Sequence, residues 1–414
     1  MTDSSPHGAS WLWLRVFAPF ALGYYLSYVL RTVNAVIAPD LTRELGLSAA
    51  DLGLLTSAYF IAFAAFQIPL GMLLDRFGPR KVEATLLLFA AVGCVVFGLG
   101  NNLAELGLGR ALVGLGVSAC LMAGFKSFSQ WFAMERQPSL MASIMVAGTL
   151  GALSASVPLE LALPLFGWRH IFFALAVLSV VVALGILSVP HHEHGIAAES
   201  LGAQLRGVAQ VFGSAAFWRF APQTCFVVGG FMALQSLWAV PWLMTVNGYS
   251  RLVAAEHLFY LNLALLVGYL ALAMLTTRLA RRGLKPVTLL AAGCGLTVML
   301  GAAILLDAGP TWLTWALLGF SVCVGNLSYP LLTAQFPPQL AGRVNTALNL
   351  LAFVGAFAVQ WGFGAVVDMV KAGGAAAPQS FRVAFALLLA LQAAAYVWFM
   401  LGLRRSPRPA HAAP

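Results

Sequence analysis

The sequence predicts an all-α integral membrane protein: twelve transmembrane helices in two six-helix pseudo-repeats, with both termini cytoplasmic. Three observations carry this prediction. Hydrophobic residues make up 61% of the 414 and charged residues only 9%, against about 25% charged in a soluble domain, so a globule of this composition would aggregate in water. The charges are confined to short intervals between apolar runs of about 20 residues, enough to cross roughly 30 Å of hydrocarbon. Finally, a shift of 202 positions superposes Pro39 on Pro241, Gly46-Leu47-Ser48 on Gly248-Tyr249-Ser250, Arg76 on Arg278 and Arg80 on Arg282, which marks an internal repeat.

Taken in order, the apolar runs place helices at 16–38, 52–74, 82–100, 107–131, 140–163, 170–189, 217–242, 253–277, 286–306, 311–334, 344–367 and 381–403. On this map fifteen Lys and Arg fall on the side of the termini, six on the opposite side and two, Arg31 and Lys126, within spans. The bias puts both termini in the cytoplasm. The net charge of +9 is therefore a topology signal, and nucleic acid is not an expected partner. The longest polar interval divides the chain into residues 1–189, a central cytoplasmic loop at 190–216 and residues 217–414. Residues 1–10 are polar and no cleavable signal follows, so the first helix is expected to remain in the mature protein. Cys94, Cys120, Cys225, Cys294 and Cys323 lie singly in five apolar segments and read as small core residues. His191, His192 and His194, with Glu193 and Glu199 in the same loop, read as a solvated cluster. Neither a metal site nor a cofactor is expected.

Between the second and third helices stands Gly71-Met72-Leu73-Leu74-Asp75-Arg76-Phe77-Gly78-Pro79-Arg80-Lys81. Gly78 and Pro79 are turn residues, and Arg76, Arg80 and Lys81 hold the turn at the cytoplasmic surface. This stretch resembles the loop signature of the major facilitator superfamily, Gly-x-x-x-Asp-Arg-x-Gly-x-[Arg/Lys]-[Arg/Lys], with every diagnostic position filled. In the aligned second copy Thr277 replaces Asp75, so the repeat of the signature has decayed. Arg110-x-x-x-Gly114-x-Gly116 resembles the superfamily's fourth-helix signature, for which close packing and proton coupling are implied. The resemblance also implies parallel halves with a site between them near the midplane, alternating access, and a latch role for Asp75.

Charges inside the spans point to chemistry. Tyr24, Tyr28, Arg31 and Asn34 share one face of the first helix. An arginine near the bilayer centre costs between about 3 and more than 10 kcal/mol unless it faces a polar cavity or a partner, and the spans offer almost no acid to pair with it. Arg31 therefore reads as an anion clamp, since guanidinium presents a fork of donors matched to carboxylate or phosphate. Lys126 in the fourth helix is expected to join it, or else to snorkel to the interface. Tyr24-Tyr25 through Arg31 to Pro39, together with Lys126 five residues before Trp131-Phe132 and followed by Glu135-Arg136, resembles the organic-phosphate antiporters and their anion-symporter relatives. One departure counts against phosphate: those antiporters bring a second arginine from the seventh helix, where the repeat-related position here is Ala233. The carboxyl-terminal half offers Gln235, Trp238 and Trp242, Asn262 and Tyr269, Asn326 and Tyr329, and Asn345, Asn349 and Gln360. Of these, Asn326 and Tyr329 flank an expected kink at Pro330, where a helix opens backbone groups to a cavity. Glu160, near the outer end of the fifth helix, is the expected intramembrane carboxylate, as gate residue or proton site.

The expected function is secondary active transport of a small organic anion bearing a carboxylate, as proton-coupled uptake by a monomer in a bacterial inner membrane. Substrate binding falls to Arg31, Lys126, Tyr24, Tyr28, Asn34, Gln235, Trp238, Asn326, Tyr329 and Asn349. Gating and coupling fall to Gly71, Asp75, Arg76, Gly78, Arg80, Lys81, Arg110 and Glu160. The alternative is a proton-driven exporter of amphipathic compounds, which the two buried cations and the absence of a Gly-Pro-x-x-Gly-Gly pattern around Gly148-Thr149-Leu150-Gly151 disfavour. No nucleophile and base or set of metal ligands appears in the spans, so the chain is not expected to be an enzyme.

Overall fold

A computed structural model describes residues 9–133, 136–190, 201–337 and 340–404. Glu135 and the loop residues His191, His192, Glu193, His194 and Glu199 lie outside them. Among the described residues the chain is helical, with no strand. Ten helices are long and apolar enough to cross a membrane, and two more complete a set of twelve. One is the first, Ala18–Leu45, whose apolar run is interrupted by Arg31 and, beyond it, Asp40, Arg43 and Glu44. The other is the fifth, residues 137–166, broken at Ala155 and Ser156 just before Pro158.

Turns fall where the sequence places its glycines. The first helix ends at Gly46 with φ 65°, and Gly248, its partner in the 202-residue alignment, has φ 69°. At Gly46 the left-handed backbone closes the helix C-terminus, a conformation that costs a side chain energy and glycine nothing. The second helix then starts on a capping box, with Ser48 Oγ accepting from the Asp51 N–H and the Asp51 carboxylate from the Ser48 N–H. It runs to residue 77 and turns through Gly78, at φ 78°, into the third, residues 79–99. The fourth helix, Leu103–Trp131, packs backbone to backbone on the second, since a Cβ at Gly114 would lie 2.2 Å from the Tyr59 carbonyl oxygen. The sixth covers residues 168–187.

The last six helices are Ala215–Thr245, Arg251–Arg281, Pro286–Leu305, Thr311–Thr333, Ala341–Ala372 and Ala377–Arg404. Part of the expected central loop is itself helical, Leu201–Phe212. Gly207 and Val211 are buried one turn apart while Arg206, Ala209 and Gln210 are exposed, so this helix is amphipathic and lies on the bundle. The Gly207 face rests on the Arg343 side chain at the start of the eleventh helix.

Candidate functional site

The first helix carries Arg31 into the centre of the bundle at 6% exposure. Its guanidinium carbon lies 4.5 Å from the Tyr28 ring centroid, 5.4 Å from that of Phe353 and 5.9 Å from that of Phe63, so the charge is held by aromatic faces. Nε has no hydrogen-bond partner among the described residues. The hydroxyls of Tyr59, Tyr28 and Tyr24 lie in electrostatic range of it, and among the described residues it makes no ion pair with a carboxylate. Phe63 of the second helix and Phe353 of the eleventh stack across the two halves with centroids 4.0 Å apart and form a floor beneath the guanidinium. From the opposite half, Tyr269 lies in electrostatic range of Tyr28 and Arg31, with Asn326 beside it. Tyr329 faces Tyr28 in the same way and donates to Asn349 Oδ1 at 3.2 Å. Asn326 is exposed, while Tyr269, Tyr329 and Asn349 are half-buried, so the carboxyl-terminal half presents a wall of neutral polar groups on the side of the cation. The tenth helix tightens over Cys323–Leu327, where the missing N–H of Pro330 leaves the Asn326 carbonyl without its helical partner.

Beyond the aromatic floor, on the face away from the termini, the halves are locked together. Arg251, at the start of the eighth helix, donates to Asp40 Oδ2 at 2.5 Å and to the Val36 carbonyl at 2.9 Å, and its Nε pairs with Glu160 at 2.6 Å. Asp368 of the eleventh helix accepts the Ala49 and Ala50 N–H groups at 3.2 and 2.6 Å, which places a carboxylate on the positive N-terminus of the second helix. Gly364 lets the eleventh helix approach there, since a Cβ would lie 2.2 Å from the Ala49 carbonyl oxygen. This conformation is closed on the face opposite the termini.

Other expected site residues are engaged elsewhere. Lys126 is not a free cation beside Arg31: its Nζ is bonded to Asp75, because the long stem reaches toward the end of the second helix where the signature loop begins. Asp75 thus ties the loop to the fourth helix within the amino-terminal half, and Arg80 Nη1 holds the Val189 carbonyl at 2.8 Å. Arg76 is exposed over the Phe77 ring, and Gly71 and Lys81 are exposed. Asn34 donates to Thr56 Oγ1 at 3.0 Å, and Gln235 donates to Asn262 Oδ1 at 2.6 Å. Trp238 is fully buried against Phe363, with its indole N–H on the Gln360 carbonyl at 3.1 Å. These three join helix to helix, as amides and indoles in an apolar setting must find partners. Tyr24 remains with Tyr28, ring centroids 5.1 Å apart. Arg110, fully buried, donates to the Leu30 carbonyl at 2.7 Å and lies over the Tyr59 ring, bracing the backbone next to Arg31.

Several functional candidates lay outside the sequence expectation. Asp40, Arg251 and Asp368 sit at helix ends, where charges are ordinary, and only their meeting across the halves sets them apart. Tyr59 looked like one more aromatic in an apolar run. Glu83 is a second carboxylate within a span besides Glu160: it is fully buried and its oxygens find no hydrogen-bond partner among the described residues. It stands at the second position of the expected third helix, 82–100, two residues after Lys81.

The family model described as Major Facilitator Superfamily matches residues 20–359. Among curated relatives, the probable L-galactonate transporter of Escherichia coli (strain K12) is 31% identical over 161 residues, covering 39% of this chain and 35% of the relative. The probable sulfoacetate transporter of Cupriavidus necator is 30% identical over 166 residues, 40% of this chain and 38% of the relative. The hexuronate transporter of Escherichia coli (strain K12) is 28% identical over 177 residues, 43% and 41% respectively. The chain thus spans about two fifths or less of the length of these relatives. Among solved structures, a bacterial homologue of the human lysosomal transporter Spinster, crystallised inward-facing and unoccupied, superposes with a TM-score of 0.75 at 18% identity over 95% of this chain and 98% of that one. A nucleoside transporter does so with a TM-score of 0.76 at 14% identity over 94% and 99%.

Proposed function

The chain belongs to the major facilitator superfamily, and we propose that it is a secondary active transporter moving a small organic anion by alternating access, as proton-coupled uptake. It is not an enzyme. The observation that carries the proposal is Arg31, a buried guanidinium with no ion pair among the described residues, on an aromatic floor between the two halves. Such a charge is costly unless a ligand of opposite sign visits it. The relatives named for galactonate, hexuronate and sulfoacetate share a carboxylate, and two of the three are sugar acids whose hydroxyls suit the wall of Tyr269, Asn326, Tyr329 and Asn349. Arg31 binds the carboxylate, with Tyr24 and Tyr28 beside it. Arg251 with Asp40 and Glu160, and Asp368 on the second helix, close the outer face. The Gly71–Lys81 loop, carrying Asp75, Arg76, Gly78 and Arg80, governs the cytoplasmic face of a bacterial inner membrane, where both termini lie. The working unit is a monomer.

A thermal-shift screen of purified protein with galactonate, galacturonate, sulfoacetate, inorganic phosphate and cationic amphiphiles, repeated on Arg31→Ala, tests this. A ligand at a hundredfold excess over its Kd stabilises by about 2.7 kcal/mol. The expected result is stabilisation of the parent by carboxylates and none of Arg31→Ala, which itself stays folded. Stabilisation by cationic amphiphiles that is indifferent to Arg31 would overturn the anion reading in favour of an exporter.

A further inference from the structure

Glu83 is the buried acid that the anion site leaves without a role. It lies in the third helix about one turn in from the signature loop, with no exposure, and neither carboxyl oxygen has a hydrogen-bond partner among the described residues. Three helices shut it in. The first presents the bare backbone of Gly23, where a Cβ would lie 2.3 Å from Glu83 Oε1, and the sixth presents Ile186, whose Cδ1 is 3.6 Å from the same point. The fourth presents Cys120, the titratable group that interacts with the carboxyl, a thiol and thus a weak donor. Arg31 reaches that thiol only through space. On Glu83's own helix the nearest charge on the same face is Arg80, three residues earlier. Its Nη1 is committed to the Val189 carbonyl, while its Nε is buried without a partner.

We propose that Glu83 is a proton-binding site of the amino-terminal half, holding a proton in the conformation closed on the outer face and releasing it toward the side of the termini. An ionised carboxylate sealed among Gly23, Ile186 and Cys120 would have neither water nor a cation to offset its desolvation, whereas the neutral acid is tolerated. The ligand is a single proton on a carboxyl oxygen, passed to and from water, with nothing oxidised or reduced. The first helix connects this site to the anion site. Its Gly23 forms the lid over Glu83, the next residue is Tyr24, and Tyr28 and Arg31 follow on the same face. Any shift of this helix with anion occupancy alters the cover over the carboxyl and admits water or the free Nε–H of Arg80. The use of the proton for transport rests on the proton-coupled uptake proposed above. The binding of the proton does not.

Two measurements test the proposal. Carbodiimide labelling of the parent protein in proteoliposomes, read by mass spectrometry, is expected to modify Glu83 at neutral pH, because the reagent attacks protonated carboxyls in apolar surroundings. An unlabelled Glu83 would overturn the proposal without recourse to any variant. In the second, uptake of radiolabelled galactonate and galacturonate is compared under an imposed pH gradient and in exchange. Glu83→Gln, which mimics the neutral acid, is expected to lose gradient-driven accumulation, and its remaining exchange to lose its pH dependence. If the parent accumulates substrate under the gradient and Glu83→Gln does so equally, Glu83 is not the coupling site and the proposal falls while the transporter reading stands. If the parent shows a labelled Glu83 but no gradient-driven uptake, the proton site stands and the coupled-uptake reading falls.

Discussion

The two halves of the molecule handle polarity in opposite ways. Among the described residues, the buried arginine and carboxylate side chains, Arg31, Asp40, Glu83 and Arg110, all belong to the first six helices. The last six, among the described residues, bury no such charge and join neutral groups between helices instead: Gln235 with Asn262, Thr297 with Ser321, Tyr329 with Asn349 and Thr333 with Asn345. A buried neutral pair costs little once bonded, whereas a buried charge without a counter-charge is a standing cost that only function justifies. On the function proposed above, the amino-terminal half would hold the groups that change partner or proton during a cycle, and the carboxyl-terminal half would supply a wall against which they work.

The largest expected effect separates these roles at the binding site. Arg31→Lys keeps the charge but loses the planar fork, and with a carboxylate ligand such as galactonate it is expected to weaken binding by about 3 kcal/mol, roughly hundredfold. Asn326→Ala on the opposite wall removes one neutral donor and acceptor and is expected to cost about 1 kcal/mol, roughly fivefold. Titration calorimetry on both variants measures the ratio. Equal losses would break the comparison, because the wall would then be as decisive as the charge.

The closed face supplies the next test, since there the two halves meet through a close backbone approach as well as through charged side chains. Gly364→Ala puts a methyl against the Ala49 carbonyl oxygen and is expected to destabilise the closed face by about 1–3 kcal/mol. That would raise the labelling of a reporter cysteine at Phe353 from the outer side. Asp368→Asn acts at the same contact by removing a charge from the N-terminus of the second helix, with an expected effect of about 0.3–1 kcal/mol in the same direction. If both variants leave outer-side labelling unchanged, the second and eleventh helices do not form the closure.

How much of this was legible in the sequence follows from the range of the forces involved. The twelve spans come from hydrophobic burial over about 20 residues, a local property, and eleven of them agree with the observed helices within a few residues at each end. The first runs on to Leu45 because Pro39 sits inside a helix that is still packed on both sides. Arg31 was legible because a lone charge in an apolar run is anomalous wherever its helix packs. Lys126 was misjudged because its partner, Asp75, lies 51 residues away and the fold brings the two together. Gln235, Asn34 and Trp238 have the composition of site residues, and only geometry reveals that each donates to a neighbouring helix. Glu83 escaped for the opposite reason: at the very start of the expected third helix, 82–100, a charge beside Arg80 and Lys81 is ordinary, and only the packing of the first, fourth and sixth helices reveals that it is sealed.

The smallest expected effect bears on Lys126. Its pair with Asp75 is partly open to solvent, with side-chain exposures of 24% and 41%, so the pair is worth about 0–1 kcal/mol. Asp75→Asn is therefore expected to leave galactonate affinity within about twofold, while shifting cysteine accessibility on the side of the termini, since the link between the signature loop and the fourth helix is weakened there. The variant also frees the ammonium. If Lys126 then turned inward and joined Arg31, affinity for a dianion such as inorganic phosphate would rise while that for a monocarboxylate would hardly change. A gain of that kind would mean that Asp75 normally keeps a second cation away from the site, and the division between a one-cation half and a polar wall would be a setting of the conformation and not a fixed property of the fold.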